Sequence, residues 1–344
     1  MKIAIIGAGI SGLAAGNELI KAGHEVVVFE KSRGYGGRLA TRYAGKDNQA
    51  KLDHGVTYFQ AKDPEFLELV NKYSEKGILT TWDGNFAHRD AKGNIKSKEA
   101  DTPYYYAPGG MNEFCKQFGR MLDVRMEEKV SGLTHIGENR TKKRSWMLNF
   151  PTALTEGADA VIITAPARQA YALINTTIDE IETLKLIREI DEVEYESQFS
   201  LMAGYLADTE MPEWNALECD DEIIQWISNE YTKRKEDSNK ALVVQTTWEF
   251  AKKHANEERE KVQEIILDRL AQILDGWAAL PEWKSLHYWK YSRAINPLPH
   301  DFMEIMGKET PLALVGAYMN GNTVESAYLS GVRLGQKWVN RFDS

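Results

Sequence analysis

Apolar residues recur along this chain in two rhythms, one of period two and one of period near 3.6, and the switches between them mark its elements. Lys2–Ile6 is a short apolar run, Ile10–Lys21 has helical spacing and Glu25–Phe29 is Val-rich, so the opening predicts strand, turn, helix, strand. A Gly-rich loop follows at Ser32–Arg38, then a polar stretch to Leu52. Asp63 is a candidate N-cap with Pro64 in the first turn, and Phe66, Leu69, Val70 and Tyr73 repeat at helical spacing until Gly77. The polar segment to Asp101 predicts a few short strands. Tyr104–Tyr106 then leads through Pro108-Gly109-Gly110 into a helix over Asn112–Met121. Strands are expected at Arg125–Ile136 and Ser145–Phe150 around a charged turn, and at Ala158–Thr164, which stops at Ala165-Pro166. From about residue 173 to 290 the pattern gives a charged helix, strands at Phe199–Leu206, Ile223–Ser228 and Ala241–Thr247, and an amphipathic helix over Glu257–Leu274. A strand at Leu312–Val315 and a helix at Val324–Arg341 follow. There is no internal repeat and no low-complexity linker.

At 344 residues the chain suits two lobes, each with its own core. A net charge of −9 argues against nucleic-acid partners, whose phosphates need Lys and Arg. The basic run Arg140–Arg144 is expected to be a solvated turn. Cys115 and Cys219, the 2 cysteines, are far apart and in no metal-like spacing, so neither a metal site nor a disulfide framework is expected. Glycines interrupt the first apolar run too early for a secretory signal, and no run of about 18 apolar residues is present to span a membrane. The expectation is a cytoplasmic protein, in which the glycosylation-like triplets at Asn139 and Asn175 are chance matches.

The chemistry begins at Gly7-Ala8-Gly9-Ile10-Ser11-Gly12, a GxGxxG that follows a strand and opens a helix, with Glu30 at the end of the next strand. Gly7 permits the tight turn, Gly9 lets the backbone approach a pyrophosphate and Gly12 lets the helix pack on the strand. The helix N-terminus offers unpaired N–H groups and a positive dipole end to phosphates, and Glu30 is placed to accept from ribose hydroxyls. A second loop, Lys31-Ser32-Arg33-Gly34-Tyr35-Gly36-Gly37-Arg38, lets the backbone lie against a bulky cofactor at Gly36 and Gly37, and Arg38 can neutralise a phosphate. A plain nicotinamide dehydrogenase has no need of that loop. With one GxGxxG and no CxxxxC, the pattern points to one tightly held dinucleotide, FAD, and a dissociable redox partner. The expected fold is α/β (α+β, two-lobe). A discontinuous Rossmann-like FAD-binding domain takes residues 1–60, 102–172 and 295–344, and a mixed-sheet-plus-helices substrate domain is inserted as 61–101 and 173–294.

The run FEKSRGYGGRLATR, followed by LDHGVTYF at Leu52–Phe59, resembles the renalase family within the flavin-containing amine oxidase superfamily. The resemblance extends through PGGM at Pro108–Met111, the strand pair around Val130, ADAVIITAP at Ala158–Pro166, HYWKYSR at His287–Arg293 and VESAYLSG at Val324–Gly331. It implies pyrophosphate contacts at Ser11 and Arg38, adenine-side backbone contacts at Val130, and Gly55, Val56 and Thr57 along the isoalloxazine. It also implies cofactor contacts at Ile10, Lys31, Thr164, Pro166, Gly316, Ala317, Val324, Glu325 and Ala327. The helix starting near Glu325 would aim its N-terminus at the flavin N1–C2=O edge and stabilise the anionic reduced ring. The chain departs from the family pattern at Ala317 (usually Asp), Thr57 (Gln), Asn322-Thr323 (Gly-Arg), Ser326 (Gly) and Gln245 (His).

Both cysteines lie outside the stretch where covalent flavin attachment would be expected, so FAD is expected to be noncovalent. Oxidation of a dihydronicotinamide, with O2 as acceptor, needs a flat ring held against the flavin and no general base. Candidates to shape that pocket are Trp289, Tyr291, Trp226 and Trp248, with Arg293 for a carboxamide or phosphate and with Thr57 and His54 beside the ring. Trp and Tyr on strands are more often core, and His54 is equally readable as a structural, hydrogen-bonded histidine. Amine oxidation is the alternative reaction, and a non-catalytic FAD-binding protein the alternative of another class. A hydrolase is disfavoured because no nucleophile elbow is present.

Overall fold

A computed structural model describes residues 1–45, 48, 50–136, 145–177, 181–234, 240–305 and 310–342. The basic run 140–144 and the Asn139 triplet lie outside the described residues. The chain divides into two compact units, Met1–Gly37 with Cys115–Glu194 and Arg293–Ser344, and Arg38–Phe114 with Tyr195–Ser292.

The first unit is built on a six-stranded sheet in the order Met303–Ile305, Leu312–Leu314, Ala160–Ile163, Lys2–Ile6, Glu25–Phe29, Asp123–Arg125. Every pair is parallel except Met303–Ile305 with Leu312–Leu314. Parallel strands are covered on both faces, so they read as unbroken apolar runs, and Ile3, Ile5, Val161 and Ile162 are fully buried. The chain leaves Lys2–Ile6, turns into the helix Ile10–Lys21 and returns as Glu25–Phe29, while Ala160–Ile163 pairs on the opposite side. The carboxyl ends of Lys2–Ile6 and Ala160–Ile163 therefore form the point where strand order reverses, the usual crevice for a ligand in such sheets. The helix Val324–Phe342 lies on Ile10–Lys21 so closely that a Cβ on Gly331 would stand 2.0 Å from the Ser11 carbonyl oxygen. The single expected strand Arg125–Ile136 is two, Asp123–Arg125 and Gly132–Ile136. Glu127 breaks it at φ 60°, and the intervening loop is tied down by the Glu128 N–H donating to the Glu30 carbonyl at 2.9 Å.

The second unit carries a seven-stranded sheet in the order Trp283–Ala294, Tyr195–Tyr205, Lys240–Thr246, Ile224–Asn229, Ala216–Cys219, Phe86–Arg89, Ile95–Ser97. Alternation sorts its side chains. Phe199, Leu201, Ala203, Leu242 and Val244 pack under Phe250, Val262, Ile266 and Leu270 of the helices Trp248–Lys253 and Arg259–Leu274. Met202, Ala241 and Val243 point the other way and pack on Ala50 and Leu52 of the hairpin Thr41–Ala44/Ala50–Asp53. This contact draws the hairpin into the second unit. Asp63 caps Pro64–Ser74 as expected, its carboxylate accepting from the N–H groups of Glu65 and Phe66.

Candidate functional site

In the first unit the glycine-rich turn is fixed from three sides. The Gly7 N–H donates to the Phe29 carbonyl at 2.9 Å, and the Thr164 hydroxyl bridges the carbonyls of Ile6 and Gly7, each at 3.1 Å. Gly7 has φ 112° and a Cβ there would stand 2.4 Å from Thr164 Oγ1, while a Cβ on Gly12 would stand 2.4 Å from the Gly7 carbonyl oxygen. In contrast, a Cβ on Gly9 would meet nothing within 4 Å. Gly9 is also the N-cap of Ile10–Lys21 and provides no side-chain cap. Beside it lies the second loop, with Gly36 bridged to Gly9 and the Gly36 N–H donating to the Ala8 carbonyl at 2.9 Å. Open space, a helix N-terminus without a capping side chain and two apposed backbone strips are what a pyrophosphate needs.

Glu30 is 7% exposed and already employed: its two carboxylate oxygens accept from the Ala8 N–H at 2.9 Å and the Ser32 N–H at 2.8 Å. The acid holds both loops in register, and each oxygen keeps a further lone pair for a ribose hydroxyl. Lys31 Nζ reaches Gln169 at 2.9 Å. Val130 and Ala317 are buried, and Pro166 is the N-cap of Ala167–Ile174. The Gly316 N–H donates to Ser330 Oγ at 3.1 Å. Ahead of Val324, Glu325 and Ala327, two family departures form one device: the Thr323 hydroxyl accepts from the Ser326 N–H at 3.0 Å, and Ser326 Oγ accepts from the Thr323 N–H at 2.9 Å. This is a reciprocal capping box that substitutes for the glycine-rich family start.

In the second unit, Gly55 is wedged so tightly that a Cβ would stand 2.1 Å from the Arg38 carbonyl oxygen and 3.2 Å from Trp289 Cζ2. Arg38 Nη1 donates to the Ser292 carbonyl at 3.0 Å, and the Val56 N–H donates to the Arg38 carbonyl at 2.9 Å. Trp289 Nε1 donates to the His54 carbonyl at 2.9 Å, and Gln245 Nε2 to the Gly55 carbonyl at 2.6 Å. The departure at Gln245 is thus a backbone donor. His287, Trp289, Tyr291 and Arg293 alternate onto one face of their strand. Trp289 sits 5.3 Å from the His54 ring and 4.3 Å from that of His287, whereas Tyr291 turns to Tyr195 at 5.4 Å. Arg293 falls at the start of the last segment of the first unit. Trp226 packs 5.2 Å from Tyr58, and Trp248 is 37% exposed beneath Lys252.

Burial, then the neighbouring His287 and Arg42, push the His54 pKa down to about 4. The ring is neutral at pH 7 and a poor base. A folded pKa below the unfolded value of about 6.5 means the unfolded chain binds the extra proton first, so stability falls with pH through that window. Acidification from pH 6.5 to 4 should cost about 3 kcal/mol through His54 alone. Urea melts across that range would test this; a His54→Asn variant with the same pH slope as the parent would refute it.

The sequence reading missed a buried charge network in this unit. Asp53, Glu230, Lys233 and Arg234 form a closed network with side chains at 0, 2, 0 and 6% exposure. Lys233 Nζ donates to Asp53 at 3.1 Å, Glu230 at 2.8 Å and the Thr57 carbonyl at 2.6 Å, and lies 4.6 Å from the centre of the Trp82 ring. Arg234 uses Nε, Nη1 and Nη2 on Pro108, Lys51 and Ala107 carbonyls and on both carboxylates. Burial pushes the Asp53 carboxyl up, but Arg234 and Lys233 outweigh it and hold it well below the usual carboxylate range. The available signal was Glu230-x-x-Lys233-Arg234 just past an apolar strand, a spacing that pairs charges on one turn.

Residues 5–73 match the sequence model for NAD(P)-binding Rossmann-like domains, and residues 78–334 match that for flavin containing amine oxidoreductases. The chain belongs to the flavin containing amine oxidoreductase family. This flavin oxidoreductase is 25% identical to renalase of Mus musculus over 308 residues, 86% of each chain. Among solved structures it resembles a putative protoporphyrinogen oxidase from Exiguobacterium sp. 255-15, with TM-score 0.78 at 12% identity over 99% of both chains. It also resembles cyclohexylamine oxidase from Brevibacterium oxydans IH-35A, with TM-score 0.71 at 13% identity over 100% of both chains. These two likenesses show the fold. The protein is an FAD-dependent oxidoreductase of mixed α/β architecture. Among the described residues, no helix is long and apolar enough to cross a membrane and no group of three or more acidic, His or Cys side chains is placed to hold a metal.

Proposed function

We propose that this flavin oxidoreductase oxidises dihydronicotinamides, isomers of NAD(P)H, with dioxygen as the acceptor. The balance is a dihydronicotinamide, O2 and a proton giving the nicotinamide and hydrogen peroxide. FAD, held noncovalently, supplies hydride acceptance at N5 and electron delivery to oxygen. The first unit is the FAD-binding part: Gly7, Gly9, Ile10, Ser11 and Gly12 present N–H groups to the pyrophosphate, with Gly36 and Gly37 beside them, and Arg38 is the candidate side chain for a phosphate. Glu30 takes the ribose, with Lys31, Val130, Thr164 and Pro166 on the adenosine side. Gly316, Ala317, Val324, Glu325 and Ala327 are the first unit's candidates for the flavin half, and Gly55, Val56 and Thr57 are the candidates to lie along an isoalloxazine. Trp289 and Tyr291 orient the substrate ring, and Arg293 meets its carboxamide or phosphate. The buried free thiols Cys115 and Cys219 suit a reducing cytoplasm.

The observation that carries the choice of substrate is the character of the His54 cluster. It offers a flat indole wall at Trp289 and imidazoles that burial keeps neutral and weakly basic at His54 and His287. An amine protonated at neutral pH needs a base to release its lone pair, whereas a hydride donor needs only placement. Anaerobic mixing with dihydronicotinamide isomers should bleach the flavin at a rate nearly flat across neutral pH, slowed in Trp289→Ala with FAD retained. Bleaching by simple amines alone would establish amine oxidation instead, and bleaching by neither would leave a binding protein.

The Glu30→Ala variant should hold FAD more weakly by about 1.5–3 kcal/mol, the range for a charged hydrogen bond. Part of that loss is the loop register set at Ala8 and Ser32. Equilibrium dialysis of FAD measures it, and unchanged affinity would remove Glu30 from the site.

A further inference from the structure

Three carbonyls of one short segment each accept from a side chain on a different element. The His54 carbonyl takes Trp289 Nε1 at 2.9 Å, the Gly55 carbonyl takes Gln245 Nε2 at 2.6 Å and the Thr57 carbonyl takes Lys233 Nζ at 2.6 Å. Because a trans peptide is planar, fixing a carbonyl also fixes the opposed N–H of the next residue. Lys233 differs from the other two donors in being itself immobilised by Asp53 and Glu230. Arg234 ties those same carboxylates to the carbonyls of Lys51, Ala107 and Pro108. Asp53 also accepts from Thr41 Oγ1 at 2.7 Å and the Met111 N–H at 3.1 Å, and Glu230 accepts from Ser228 Oγ at 2.5 Å and the Asp53 N–H at 3.1 Å.

We propose that the Asp53–Glu230–Lys233–Arg234 network positions the flavin, with Lys233 as a positioning residue that sets the Thr57–Tyr58 peptide plane through the Thr57 carbonyl. The proposal rests on the reading that Gly55–Thr57 lies along the isoalloxazine. The segment has no regular secondary structure to hold it. A buried, fully satisfied charge network gives it a rigidity that solvated partners would not, and misplacement of a reacting group by about 1 Å costs up to about 100-fold in rate.

The test uses holoenzyme with Lys233→Met/Glu230→Gln, which removes one charge of each sign and leaves Asp53 paired with Arg234. Lys233→Arg, which keeps the cation but shifts its donors, is the second variant. Tyr205→Phe removes a buried hydrogen bond of the same unit, from the Tyr205 hydroxyl to the Ala278 carbonyl at 2.9 Å, without touching the network, and serves as the comparison. Either Lys233 variant should retain FAD, show a shifted flavin absorption band, and exchange the amides of residues 55–58 faster than the parent. Its anaerobic bleaching should be slower by about 10-fold or more. Tyr205→Phe should match the parent in all of these. Parental spectrum, exchange and bleaching in either folded Lys233 variant would overturn the proposal. Amide exchange of the parent with and without FAD separates the two failures. If FAD leaves residues 55–58 unprotected, the placement of that segment is wrong and the proposal falls with it. If FAD protects them while the variants behave as the parent, the placement stands and the network is structural only.

Discussion

The Lys233→Met protein should lose about 3–5 kcal/mol of unfolding free energy, because removing one partner leaves buried charge uncompensated. That is a large part of the roughly 5–15 kcal/mol that holds a typical protein together. The missing ammonium had satisfied Asp53, Glu230 and the Thr57 carbonyl, all on buried residues. Adding Glu230→Gln restores electroneutrality and should recover a substantial share of the loss. Urea denaturation of the two variants side by side checks this; a single variant as stable as the double would contradict it. The network also sets an acid limit. Asp53 has a folded pKa below its unfolded value, so its contribution is complete above the unfolded pKa of about 3.9 and is lost as pH falls below it. The His54 loss comes at higher pH, so acid denaturation should proceed through two windows.

Gly331→Ala should destabilise the first unit by about 2 kcal/mol or more, against the ordinary expectation that Ala improves a helix interior by about 0.5–1 kcal/mol. The new Cβ would stand 2.0 Å from the Ser11 carbonyl oxygen and 3.0 Å from Ala14 Cβ, so Val324–Phe342 must back away from Ile10–Lys21. At Gly335 the neighbour is Glu18 Cβ at 2.7 Å, and at Gly16 it is the mobile end of Leu122 at 3.0 Å. The expected order of loss is therefore Gly331, Gly335, Gly16. Thermal melts of the three Ala variants give the order directly, and a stabilised Gly331→Ala would show that the helices separate at no cost.

What could be read from sequence is what is decided locally. The turn at Gly7–Gly12 and the cap at Asp63 depend on residues within a few positions of one another, and both elements formed where expected. Thr323 and Ser326 were legible in the same sense, since a T-x-x-S start is a capping pattern, but comparison with a family pattern made them look like losses. The Glu30 contact to Ser32 is also short-range, and that to Ala8 spans 22 positions, yet a motif that assigns the acid to a ribose draws attention away from the backbone. The ion network was hidden for a different reason. Asp53 and Arg234 meet across 181 positions, and an isolated charge in a sequence reads as solvated until the fold brings its counter-ion. Trp248 marks the opposite limit, an aromatic with core-like chemistry that the fold leaves at the surface.

The order in which the first unit's pieces occur along the chain has a consequence for how it is made. Lys2–Ile6 finds one neighbour almost at once in Glu25–Phe29, but its other edge waits for Ala160–Ile163, and the outer face of Ile10–Lys21 waits for Val324–Phe342. At about 5–20 residues per second, a ribosome leaves that strand edge open for on the order of ten seconds and that helix face bare for longer. The second unit closes earlier, since Trp283–Ala294 supplies its outermost strand before the last helix emerges. The nascent protein therefore passes through an interval in which one sheet is complete while the other still lacks a central strand's partner and the helix that covers it.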